Sequence, residues 1–166
     1  MKKIIALMLV LSLAFSFVAC KKDKKEETPA EKNYQLAIGV ALTQDKGEVA
    51  NTVAALIIDA DNKIVACRID TLAITATLTE GIVAAGTYQT KAEKGSAYGM
   101  LTNSDYYGSK FAEWYTQAQN YANLANGKTA AELAGLSTDK TELTGICTMY
   151  AGGYKAALQK AATYTR

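Results

Sequence analysis

Val53-Ala54-Ala55-Leu56-Ile57-Ile58, Asp59-Ala60-Asp61-Asn62-Lys63 and Ile64-Val65-Ala66-Cys67-Arg68-Ile69 form one continuous stretch whose reading decides the fold. The first run is aliphatic and β-branched, which suits a half-buried strand. The five residues after it carry turn chemistry: Asp and Asn bond to their own backbone and tolerate left-handed conformations. The third run alternates, with Ile64, Ala66 and Arg68 set against Val65, Cys67 and Ile69. Period-two spacing turns Cys67 towards the core beside Val65 and Ile69. A parallel connection needs a dozen or more residues, so five residues require an antiparallel hairpin.

The pattern continues outward from the hairpin. Leu36, Ile38 and Val40 alternate with smaller residues before it. After it, residues 72–79 and 82–90 read as two more strands, parted by Glu80-Gly81. These short gaps leave no room for crossover helices, and residues 34–90 are expected to form an antiparallel meander.

The period changes after Lys91. Phe111, Trp114, Tyr115, Ala118, Tyr121, Ala122 and Ala125 recur at helical spacing, predicting a helix over 104–126 that stops at Asn126-Gly127. Thr129 and Glu132 form a capping box for a short helix ending near Gly135. Tyr154, Ala157, Leu158 and Ala161 mark a last helix that starts near Gly152-Gly153. The fold class is therefore α+β, an antiparallel sheet from the N-terminal half with C-terminal helices packed on one face. Of ten tyrosines, Tyr115 and Tyr121 fit the buried face of the long helix. Tyr106 and Tyr107 precede it, either packing at its start or stacking on a planar ligand or sugar.

The start of the chain reads differently. Lys2 and Lys3 precede an apolar run over 4–18, and Ala19 stands directly before Cys20. A basic start, an apolar stretch and a small residue make a secretory signal. With the cysteine, this segment looks like a bacterial lipoprotein signal, with Phe17 where such signals usually carry Leu. The run is shorter than the roughly 20 residues a spanning helix needs. The resemblance implies a signal peptide over 1–19, cleavage before Cys20, and lipidation of Cys20 with palmitate-type chains. The mature protein would then be lipid-anchored to the cell membrane on its extracytoplasmic face. Residues 20–33 hold the only proline, Pro29, and read as a flexible charged tether, leaving 34–166 as a single domain.

Composition narrows the function. Without Lys2 and Lys3, sixteen basic residues balance sixteen acidic ones, which disfavours nucleic-acid binding. The sequence has no histidine, which removes His-based nucleophile pairs, His-ligated haem and most zinc sites, and no metal is expected. Cys67 and Cys147 are either a disulfide or two buried thiols, for the sequence does not give their separation. Glu80, Glu113 and Glu142 show no paired spacing and read as solvated surface groups, so the chain is read as a carrier or binding module more readily than as an enzyme.

One segment could carry chemistry. Glu142-Leu143-Thr144-Gly145-Ile146-Cys147-Thr148 leads to Gly152-Gly153 and the last helix. Small residues and hydroxyls before a helix N-terminus favour a phosphate; alternatively, Thr148 is a local cap. This segment, the hairpin at Asp61-Asn62-Lys63, the Lys91–Met100 block, Glu113-Trp114-Tyr115 and Gly127-Lys128-Thr129 together resemble the small extracytoplasmic FMN-binding domain and its relatives among bacterial surface lipoproteins. Flavin-binding members read Asp-x-x-Ser-Gly-Ala-Thr, with the threonine holding FMN, often covalently through the phosphate. The resemblance matches Glu142 to the Asp and Thr148 to that threonine, and implies cofactor contacts from Thr148, Glu142 and Gly145. Gly145 stands for the Ser, Ile146 for the Gly and Cys147 for the Ala. A branched Ile obstructs the backbone approach that Gly permits. Two readings follow: a flavin-carrying electron-transfer module, or a flavin-free surface lipoprotein that binds a small ligand or a protein partner.

Overall fold

The computed structural model describes residues 32–45, 48–75, 78–79, 82–83, 88–103, 105 and 111–164. The signal segment with Cys20, the tether up to residue 31, Glu80-Gly81 and Tyr106-Tyr107 lie outside them.

Three long strands, β1 (Gln35–Asp45), β2 (Glu48–Ile58) and β3 (Ile64–Thr75), form an antiparallel meander in the order β1-β2-β3. The expected hairpin turn holds: the Asp59 carboxylate accepts from Asp61 N at 3.0 Å and Lys63 N at 2.9 Å, and Asn62 takes φ 60°. Residues 72–75 complete β3 instead of starting a new strand. A two-residue pair follows, β4 (Leu78–Thr79) with β5 (Ile82–Val83). Thr90, read as a strand end, instead caps α1 (Lys91–Lys94): its Oγ1 accepts from Glu93 N while the Glu93 carboxylate accepts from Thr90 N. The helices α2 (Trp114–Asn123) and α3 (Gly152–Thr163) complete the framework, with 3-10 turns at Gly95–Tyr98 and Glu132–Gly135. Both helices pack on the same face of the sheet, α2 over β3 and α3 over β1 and β2, as the α+β reading requires. Among the described residues no helix is long and apolar enough to cross a membrane.

Small residues set the depth of that packing. β1 turns Ala37, Gly39 and Ala41 inward and leaves its large residues outside. A Cβ on Gly39 would fall within contact of the backbone of Ala157 and Ala161 on α3. The helix therefore sits almost on the strand. β2 and β3 supply larger inward residues, Leu56, Ile58, Ile64 and Ile69, which meet Trp114, Tyr121 and Leu158 in the core. Burying each such side chain contributes about 1.5–3 kcal/mol.

Two expected core positions face outward. Val65 is 43% exposed, because β3 bulges there: Ile57 pairs with Ala66 and Ile58 with Ile64, leaving Val65 as the extra residue. The bulge resets the alternation, and Ile64 and Cys67 both point inward. Tyr115 is 44% exposed, since it lies about 100° around the helix from Trp114. Tyr121 is buried as expected. The long helix is also shorter than 104–126. Glu113 is extended, at φ −68° and ψ 162°, so α2 starts at Trp114. Past Asn123 the chain continues in tight turns to Asn126, and Gly127, at φ 76°, ends them. Gly127 N then donates to Ile64 O at 2.7 Å, tying this turn to the start of β3.

Candidate functional site

A cleft of about 690 Å3 opens where the far ends of the strands meet the start of α3. Its strand wall holds Thr43, Glu48, Thr52 and Thr71; Lys91, Tyr98 and Met100 form a second side; Lys140, Thr148, Tyr150, Gly153 and Tyr154 form the third. Its volume lies in the range of small-molecule sites. Thr52 and Thr71 share a buried hydroxyl hydrogen bond of 2.9 Å on neighbouring strands. Lys91 Nζ stands 4.0 Å from the Glu48 carboxylate and 5.2 Å from the centre of the Tyr98 ring.

Thr148 is the one predicted cofactor contact in this wall. Its backbone N and its Oγ1 both donate to Gln117 Oε1, at 2.8 and 2.9 Å. Gln117 is fully buried on α2, and its amide nitrogen donates to Ala112 O at 2.7 Å. Thr148 is thus fixed from the core side, and it does not cap α3. The residue at that position is Ala151, with no side-chain cap. The first N–H groups of α3 therefore meet no capping side chain, and Gly153 brings that end into the cleft wall.

Glu142 and Gly145 are exposed and lie outside the cleft wall. They belong to a run of turns in which Ile146 N and Cys147 N donate to Leu143 O at 2.9 and 3.0 Å. Gly145 has φ 77°, where glycine is favoured. Ile146 packs against the core and is not among the cleft-lining residues. The Cβ that seemed an obstruction in the sequence therefore points elsewhere.

The two described cysteines are free and buried. Cys67 Sγ donates to Ala122 O on α2, and Cys147 Sγ points to Met149 O. Burial pushes the Cys67 thiol up to about 11. Burial also raises Cys147, opposed by a backbone hydrogen bond from Met149 and by Lys140. Thiols so disfavoured as thiolates are poor nucleophiles. Tyr154 is held protonated, mainly by burial and then by Cys147, and its hydroxyl donates to Met149 Sδ at 3.5 Å.

Glu113 overturns its surface reading. It is buried, and its carboxylate accepts from Met100 N at 2.9 Å and Leu101 N at 3.2 Å. This fixes Met100 against the cleft. Sequence reasoning missed both Glu113 and Gln117. The available signal was a polar residue three positions after Trp114, on the apolar face of α2. Among the described residues no group of three His, Cys, Asp or Glu could hold a metal ion. The arrangement suits binding: donors at a helix end, hydroxyls, aromatic rings and lysines around a ready-formed cleft.

Compared with models of known families, with curated proteins and with solved structures, the chain matches none.

Proposed function

We propose that this chain is an extracytoplasmic lipoprotein, anchored to the membrane through lipid on Cys20, and that its cleft carries FMN for electron transfer. One observation carries the ligand: Thr148 stands in a cleft of about 690 Å3 beside the uncapped N-terminus of α3, with Lys140 in the same wall. A helix N-terminus and a lysine favour an anionic group such as a phosphate. Tyr98 and Tyr150 in the same cleft supply rings for stacking on a planar group. When bound, the flavin supplies the redox chemistry. The chain's part is to hold the phosphate, orient the rings and exclude water with Met100 and Met149. Thr148 donates its proton to Gln117, so the donors left for the phosphate are the first N–H groups of α3 and Lys140. That arrangement supports non-covalent retention.

The test is an absorption spectrum of the protein purified from its native membrane, followed by fluorescence titration with FMN and with riboflavin. FMN is expected to bind at least tenfold tighter, a difference of about 1.4 kcal/mol for the phosphate. Lys140→Ala should weaken FMN and leave riboflavin unchanged. Colourless protein that quenches neither flavin would refute the flavin reading.

The second reading is a flavin-free module that binds a small ligand or a protein partner. The observation favouring it is that Gln117 already satisfies both donors of Thr148. Thermal-shift screening of other small anions would support it where one raises the midpoint.

A further inference from the structure

The helices cover one face of the β1-β2-β3 sheet, and the other face is apolar and, among the described residues, uncovered. On β1, Leu36 is 72% exposed, Ile38 55% and Leu42 70%. On β2, Val53, Ala55 and Ile57 share that face, in register with Val40, Ile38 and Leu36. The charged residues on the face are Arg68 and Asp70 of β3, and Asp70 is engaged, accepting from Thr71 N and Ala92 N. β1 is also an edge strand, and residues 35–44 contain neither charge nor proline, the features by which single-chain sheets guard such edges. Exposed apolar patches of this extent mark interaction sites.

We propose that this outer face is a two-fold interface with a second copy of the same chain. Two observations select that occupant. The first is relief. The large side chains of β1 form a ridge, and beside it lies an apolar hollow of about 240 Å3 lined by Leu36, Ala55, Ile57, Ala66, Cys67 and Arg68. Ridge and hollow lie on one surface, so a two-fold axis sets each ridge into the other copy's hollow, as an isologous contact requires. The second is area. Strands of eleven residues, at about 3.3 Å per residue and about 4.8 Å apart, make a face of roughly 14 by 36 Å, about 500 Å2 per copy. Two such faces bury about 1,000 Å2 before side-chain relief is added, the area at which specific interfaces begin. The apolar middle with Arg68 towards one side is the composition of a homodimer contact. Packed sheets of this kind lie about 10 Å apart.

The test is cross-linking in whole cells that produce the full chain. Val53→Cys places a thiol at the middle of the face, and the described native thiols are buried. A short bismaleimide is expected to give a band of twice the chain mass. Adding Ile38→Lys, which puts a charge on the ridge, should reduce that band at least tenfold. Tyr164→Cys, at the exposed end of α3 on the helical side, should give little of it. Ala55→Cys repeats the measurement at a second site, should Val53→Cys fold poorly. The proposal is overturned by no doublet from either site, by a product joined to a different protein, or by equal doublets from Tyr164→Cys. It is also overturned if Ile38→Lys lowers the thermal midpoint of a chain that does not cross-link, since the cover would then be part of the same chain.

Discussion

Gly39→Ala tests the packing that shapes the whole domain. In an ordinary strand this change is favourable by about 0.5–1 kcal/mol, because glycine loses more backbone freedom on folding. Here the sign reverses. The new Cβ would meet Ala161 N and Ala157 O inside contact distance, and Ala161 Cα at 2.8 Å. These are backbone atoms, so no rotamer change relieves them. The last helix must retreat by about 1 Å to restore ordinary contacts. A gap of that size forfeits a quarter to a half of the dispersion energy across an interface. The interface includes Tyr154, Ala157, Leu158 and Ala161. Overpacking of this kind costs about 1–3 kcal/mol and occasionally more; with no flexible neighbour to yield, we place it at about 3 kcal/mol. Against a total of about 5–15 kcal/mol, the variant still folds. Urea denaturation should show a lower midpoint with an unchanged slope, and the thermal midpoint should fall by about 10 °C. Gly39→Ala with Ala161→Gly should be no better, because the collision is with backbone. A variant within about 0.5 kcal/mol of the parent, or one rescued by Ala161→Gly, would refute the close approach of helix and strand.

Gln117→Leu removes the acceptor for two donors of Thr148 and the donor to Ala112 O. Stranding such groups costs about 2–4 kcal/mol; denaturant melts should show this loss, and FMN titration should show weaker binding. Glu113→Gln keeps the shape but loses a charge-assisted bond to the 100–101 turn, so a loss of about 1–2 kcal/mol is expected in the same melts. Thiol labelling should find Cys67 and Cys147 unreactive in the native protein and both reactive in denaturant, with no gain on adding reductant. Stability should also fall in alkali. Cys67 is raised from 9.0 to about 11 and Tyr121 from 10.0 to about 12, both chiefly by burial. The unfolded chain releases these protons first, so their contribution is intact below pH 9 and is lost as pH rises to about 12. Melts across that window should show the decline, with the part from pH 9 to 11 reduced in Cys67→Ala.

The sheet, its direction and the two principal helices were legible because each rests on local periodicity. The hairpin turn followed from Asp59 and Asn62, and the last helix from Tyr154, Ala157, Leu158 and Ala161. What was not legible depends on contacts distant in sequence. Nothing near Val65 announces a bulge, which arises from the pairing of β3 with β2. The large–small alternation of β1 identifies a strand equally well whichever side faces the core. The choice of the small side follows from α3, more than a hundred residues later. In the cleft, Thr148 was readable from its place before a helix. Gln117 was hidden because its partner is 31 residues away, and Glu113 because its oxygens bind backbone that carries no side-chain signature.

Those two hidden residues explain why the cleft stands ready-formed. Its walls come from four separate parts of the chain, and loops carrying such sites are free to move unless tied down. Gln117 ties Thr148 to α2, and Glu113 ties Met100 and Leu101 to the start of the same helix. Trp114, between them in sequence, stacks edge-on with Tyr98 at 6.5 Å and with Tyr154 at 6.1 Å, both of which line the cleft. One turn of α2 therefore holds two sides of the cavity from beneath. Binding then requires little ordering of the walls, which preserves affinity that a mobile site would lose. It follows that substitutions at Gln117 and Glu113 should weaken ligand binding more than their distance from the ligand suggests, and both effects should be larger than that of any single exposed residue at the cleft mouth, such as Tyr150.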